Sequence, residues 1–179
     1  MMDRLRELVF KGSGQAGVYA VLDGAMIDGL PARLDASGCE HACLFSGDLD
    51  PMLEEAAPHM VQLHRDSPFT EAVLGEGWND HWGILLQAGA GMDFYGVRQH
   101  LRRHLRVLDA AGEPMFFRFY DPRVFRMVIP QLANKSRREF FGPARRFVVE
   151  SEQADAVLCF DAALGKIREM SLASAPENA

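Results

Sequence analysis

The run Val18-Tyr19-Ala20-Val21-Leu22 is the tightest constraint in this chain. Side chains along a strand alternate between its two faces, so consecutive apolar residues closing on Asp23 need cover on both sides. Such a strand belongs in the middle of a sheet. The rest of the chain can supply the cover: 179 residues form about one domain, which buries roughly 70% of the surface of the unfolded chain. With 48% hydrophobic and 25% charged residues, the composition is that of a globular protein. Twelve Phe against three Tyr and two Trp put most aromatic surface on a side chain with no polar handle, suited to cores or interfaces.

Helical and strand signals then alternate. An amphipathic stretch from Leu30 to Ala36, with Pro31 near its start and Gly38 beyond its end, separates the first strand from a short apolar run, Ala42-Cys43-Leu44-Phe45, giving a β-α-β order. Three helix starts share one device, a capping side chain followed by proline: Asp50-Pro51, Ser67-Pro68 and Asp121-Pro122. His59 to Leu63 and Trp82 to Gln87 have strand character. From Asp93 to His104, the positions Phe94, Val97, Leu101 and Leu105 recur at steps of three and four, a helical stripe with arginines on the other faces. Turn chemistry over 109–114 followed by the β-forming run Met115-Phe116-Phe117-Arg118-Phe119-Tyr120 predicts a hairpin with Arg106-Val107-Leu108. A helix from Pro122 to about Ala133, a shorter one capped by Ser136, and strands at Phe147-Val148-Val149 and Ala156 to Phe160 complete the reading. The expected fold is a single mixed α/β domain, a central sheet of five or more strands flanked by helices. Its divisions are an N-terminal helix and flexible loop (1–16), the core (17–150), a short C-terminal extension (151–170) and a disordered tail (171–179).

Charge is unevenly spread. Between Arg98 and Arg146 the balance is +8, and elsewhere −14, which together give the net −6. Such asymmetry bears on partners rather than on fold. With no signal-like apolar stretch after Met1 and no run of 18 apolar residues, the expectation is a cytoplasmic protein without membrane insertion. Cys39, Cys43 and Cys159 form no C-x-x-C pair, so neither a disulfide framework nor a structural zinc site is implied.

Candidate chemistry fails on context. Gly12-Ser13-Gly14-Gln15-Ala16-Gly17 fits G-x-G-x-x-G, but it precedes the strand instead of following one, so no phosphate would meet a helix N-terminus. His100 and His104 stand four apart, yet Arg102 and Arg103 would repel a cation. Cys43 near His41 sits in an apolar strand, where a thiol is an inert small hydrophobe. Asp23 and Asp28, near the end of the first strand, are where an open α/β sheet would place a site. A small hydrolase or transferase using either with a histidine is the alternative reading. Arg98, Arg102, Arg103 and Arg106 would suit phosphates, but no nucleic-acid-binding signature accompanies them and the whole chain is acidic. An acidic protein partner, or the chain's own acidic parts, accounts for them.

Certain strings also resemble a known family. Trp82-Gly83-Ile84-Leu85-Leu86-Gln87, then Leu101-Arg102-Arg103-His104-Leu105-Arg106-Val107, then Met115-Phe116-Phe117-Arg118-Phe119-Tyr120-Asp121-Pro122-Arg123-Val124, and Phe140-Phe141-Gly142-Pro143 look like the effector adaptor-chaperones of bacterial type VI secretion. The resemblance takes in Tyr19 to Gly24 and Leu44 to Gly47, and covers about residues 17 to 150. It implies a protein without enzymatic activity or cofactor. Its partners would be a toxic effector, bound in the producing cell, and the VgrG-type spike onto which the effector is loaded. Relatives often carry a variable lobe after the shared core. About thirty residues follow Glu150 here, so the core is expected to make the contacts, through Arg98, Arg102, Arg103, Arg106, Arg118 and Arg123.

Overall fold

In the computed structural model, which describes residues 1–173 apart from 15, 110, 164 and 166, the first apolar run forms β1 (Val18–Asp23), every residue of it buried. Its two faces feed two cores. Val18, Ala20 and Leu22 point into one with Leu5, Val9, Leu30, Leu34, Phe69, Val73 and Leu74, while Tyr19 and Val21 point into the other with Val97, Leu101, Phe125, Phe140 and Phe147. The alternation along one strand thus sets a layer of helices on each side.

On the first side lie α1 (Met2–Phe10), α2 (Leu30–Ser37) and α4 (Pro68–Gly75); on the second lie α5 (Phe94–Arg103), α6 (Pro122–Val128) and α7 (Asn134–Phe141). A short helix, α3 (Pro51–Ala56), has no buried residue. Between the layers runs a seven-stranded sheet of β2 (His41–Cys43), β3 (Pro58–Leu63), β1, β4 (Gly83–Ala88), β7 (Ala144–Glu150), β8 (Ala156–Asp161) and β9 (Ile167–Ser171), in that order. All neighbours are antiparallel, with Ala20 opposite Val61 on one side and Leu85 on the other. Because β1 and β2 each run antiparallel to β3, they are parallel to one another, and the β-α-β unit read from the sequence is real, with β3 inserted between its strands.

The three proline-led helices start as expected. Asp50 accepts from Leu53 N at 3.0 Å, Ser67 from Thr70 N at 3.1 Å and Asp121 from Arg123 N at 2.9 Å. Several details differ from expectation. The helix after Asp121 stops at Val128 and passes into a 3-10 turn, Ile129–Gln131, because Pro130 lacks the N–H that would continue it. Ser136 is not a cap; α7 begins before it, at Asn134. The stretch 151–170 is built into the central sheet through β8 and β9 rather than appended to it. Ser171 belongs to β9, and Leu172 is buried with its N–H on Asp155 O, so disorder does not begin at 171; residues 174–179 of the expected tail lie outside the described residues. Gln15 of the glycine-rich loop and Ala110 of the predicted turn lie outside them too.

A second, two-stranded sheet stands apart: β5 (Arg106–Leu108) pairs with β6 (Pro114–Phe116), Arg106 opposite Phe116 and Val107 opposite Met115. The strand expected over 115–120 ends at Phe116. Beyond it Phe119 and Tyr120 turn into the second core, where Phe119 lies against Phe140 at 5.6 Å, and the burial of two large rings overrides the β preference of the run.

Candidate partner-binding face

The C-terminal turn of α5 carries Arg102 and Arg103, and the chain passes at once through buried Leu105 into Arg106 of β5. The spacing that buries Val97 and Leu101 on one face leaves these arginines around the other side. Facing them is the segment between β2 and α3. Leu44, Phe45, Ser46, Leu49 and Leu53 meet Gln99, Arg102, Arg103, Leu105, Arg106 and Phe116 around a groove of about 540 Å³. Its base is apolar and one wall is cationic.

Phe116 joins the two halves. Its ring lies 5.6 Å from that of Phe45, and the Arg106 guanidinium sits 5.4 Å over it as a cross-strand cation–π pair. Even so, Phe116 is 58% exposed, beside Met115 and Leu108, which are exposed on the same hairpin. A two-stranded hairpin is marginal alone, and apolar side chains gathered on an exposed element mark contact surfaces.

The structure divides the six candidate arginines into two groups. Arg98 donates from Nε and Nη2 to Cys43 O at 3.3 and 3.0 Å, tying α5 to β2. Arg118 donates to the Asp23 carboxyl, whose side chain is 1% exposed against 45% for the arginine. Arg123 holds its own helix cap, with Nε on Asp121 Oδ1 at 2.9 Å and Nη2 on Oδ2 at 2.8 Å. These three are engaged within the chain. Arg102, Arg103 and Arg106 have no ion-pair partner among the described residues, and they are the three that line the groove.

Ionisation follows the same packing. Burial pushes the Asp121 carboxyl up, but hydrogen bonds from the Arg123 side chain and backbone outweigh it and leave the group below the usual range. Burial, then the nearby Asp23 charge, pushes the Tyr120 hydroxyl up to about 12. His100 and His104 stack edge-on at 4.7 Å between α5 and α7, His100 Nε2 lying 2.7 Å from Phe140 O. Burial, His100 and then Arg103 press His104 down to about 4, so both rings are neutral packing groups at pH 7.

Asp23 accepts from Ala25 N at 3.1 Å and pairs with Arg118, and Asp28 is exposed. Neither has a histidine as hydrogen-bond or ion-pair partner among the described residues. No group of three or more His, Cys, Asp and Glu is placed to hold a metal among those residues. No helix of the described chain is long and apolar enough to cross a membrane.

What the sequence concealed is the apolar half of the groove. Phe45 and Phe116 lie in runs that read as strands, Leu49 stands alone between two aspartates, and Leu53 lies in a helix with no marked apolar stripe. The signal the sequence did carry was the closeness of a Phe-rich run to a basic segment.

No curated protein and no solved structure matches this chain. One family model does, over residues 18–139, a span that runs from β1 through α5, the exposed hairpin and α6 into α7 and so contains the whole groove. The chain therefore belongs to the family described as Domain of unknown function (DUF4123).

Proposed function

We propose that the protein is an adaptor-chaperone that binds a toxic effector in the bacterial cytosol and helps load it onto the VgrG-type spike of a type VI secretion apparatus. The observation that carries this reading is the groove itself, where three arginines without ion-pair partners among the described residues stand beside the exposed apolar side chains of a protruding hairpin. Interface centres favour this pairing of aromatic anchors with arginine. The resemblance of residues 17 to 150 to effector adaptors supplies the biological setting.

Co-expression with the products of the genes adjoining its own, followed by affinity capture on the adaptor and size-exclusion chromatography, tests the reading. The expected result is a stoichiometric complex with a neighbouring toxin. A protein that elutes alone in the presence of every neighbouring product contradicts it.

A further inference from the structure

We infer that the groove between the β2–α3 segment and the β5–β6 hairpin captures a short acidic segment of its partner, one in which Leu- or Phe-like anchors are spaced by Asp and Glu. This deepens the adaptor reading and rests on it for the partner's identity, while the groove's chemistry stands on its own. A volume of about 540 Å³ is that of a ligand-sized cleft, too small for a globular surface and adequate for a few side chains of one segment. Leu44, Leu49, Leu53 and Leu105 give it an aliphatic lining, and Phe45 with Phe116 an aromatic one.

The rim selects charge. Arg102, Arg103 and Arg106 contribute guanidinium groups to one side, and the acidic residues nearest in sequence, Asp48, Asp50, Glu54 and Glu55, are not among the lining residues. Guanidinium groups take carboxylates in a planar two-pronged geometry, and at the edge of an apolar cleft such pairs are better shielded from water than on open surface. A single-stranded nucleic acid would also meet arginines and phenylalanines, but stacking sites present free aromatic faces along a basic track. Here the Arg106 guanidinium already lies over one face of the Phe116 ring, and the other lining residues are largely aliphatic.

Fluorescence anisotropy with three labelled probes tests this. The probes are a peptide with Leu and Phe anchors spaced by Glu, the same peptide with Lys for Glu, and a single-stranded oligonucleotide. The Glu peptide should bind, the Lys peptide at least about tenfold more weakly, and the oligonucleotide no better than the Lys peptide. The Arg102→Glu/Arg106→Glu protein, and separately Phe116→Ser, should each lose about tenfold for the Glu peptide while keeping the wild-type melting temperature. No binding of the Glu peptide, equal binding by the charge-reversed protein, or preference for the oligonucleotide overturns the inference.

A second arm uses the partner captured by co-expression, with a photo-crosslinking residue at position 116 or, on an exposed site that does not line the groove, at Met127. Crosslinks from position 116 to an acidic segment support the inference. A captured partner that crosslinks only at 127 removes the groove and leaves the adaptor reading standing. Peptide binding without any captured partner does the reverse.

Discussion

Asp23 is almost wholly buried, and its carboxyl is met by Arg118 and by the N–H of Ala25. Removing the arginine leaves that carboxyl with one donor, which costs more than the pair contributes when intact. Arg118 is nearly half exposed, so water screens part of the effect, and Arg118→Ala should lower stability by about 1–3 kcal/mol in urea denaturation. A variant as stable as wild type would show that the pair is not structural and return Arg118 to the set of free contact residues. His104 gives a pH signature at the same scale. Burial, His100 and Arg103 hold its folded pKa at about 4, while an unfolded-chain histidine takes a proton near ~6.5. Between these values the unfolded state binds a proton that the folded state does not. Stability is therefore complete above the upper value and falls as pH drops towards the lower one, by about 1–3 kcal/mol. His100, also pressed down chiefly by burial, acts in the same direction. Glu150, pushed up by burial and countered in part by His81, acts in the opposite one, so the histidine's contribution is isolated by substitution. Urea midpoints at pH 7 and 4.5 should differ less for His104→Leu than for wild type; equal differences contradict the assignment.

Among the elements, the β5–β6 hairpin has three residue pairs and exposed side chains, whereas β1 is flanked by strands on both sides and buried on both faces. Hydrogen exchange should find the amides of Arg106–Leu108 and Pro114–Phe116 that can exchange opening by local fluctuation, and those of Val18–Asp23 only with global unfolding. Equal protection in the two would mean that the hairpin is part of the cooperative core and not a presented arm. For α6, Asp121→Ala removes an N-cap and should cost about 0.5–2 kcal/mol in thermal or urea unfolding without abolishing partner capture. Capture lost at an unchanged melting temperature would make Asp121 a contact residue. These elements also show where sequence was informative. Val18–Asp23, the Asp-Pro and Ser-Pro helix starts and the stripe of α5 are written in local patterns, which act over a few residues. The end of β6, the strand β9 and the order of the sheet are not. Phe117–Tyr120 has a strand's composition and leaves the ladder only because Phe119 and Tyr120 have a core to enter. All five residues of β9 are exposed, so Ile167–Ser171 has no apolar run to announce it.

At the scale of the molecule, the basic surplus between Arg98 and Arg146 was legible as a number, but its division was not. Charge counting gave Arg98, Arg118 and Arg123 the same weight as Arg102, Arg103 and Arg106. Only the fold shows that the first three are engaged by Cys43 O, Asp23 and Asp121, since those partners are brought near by sheet and cap geometry. The remaining three concentrate positive charge beside an apolar cleft on a protein of net charge −6, so association through this face should weaken with salt. The most direct measurement is calorimetry of the purified protein against the toxin encoded beside it, at low and high ionic strength, with wild type and the Arg102→Glu/Arg106→Glu protein. Saturable binding is expected that weakens as salt rises and falls at least about tenfold on charge reversal. No binding, or an affinity that the folded, charge-reversed protein retains in full, would contradict it.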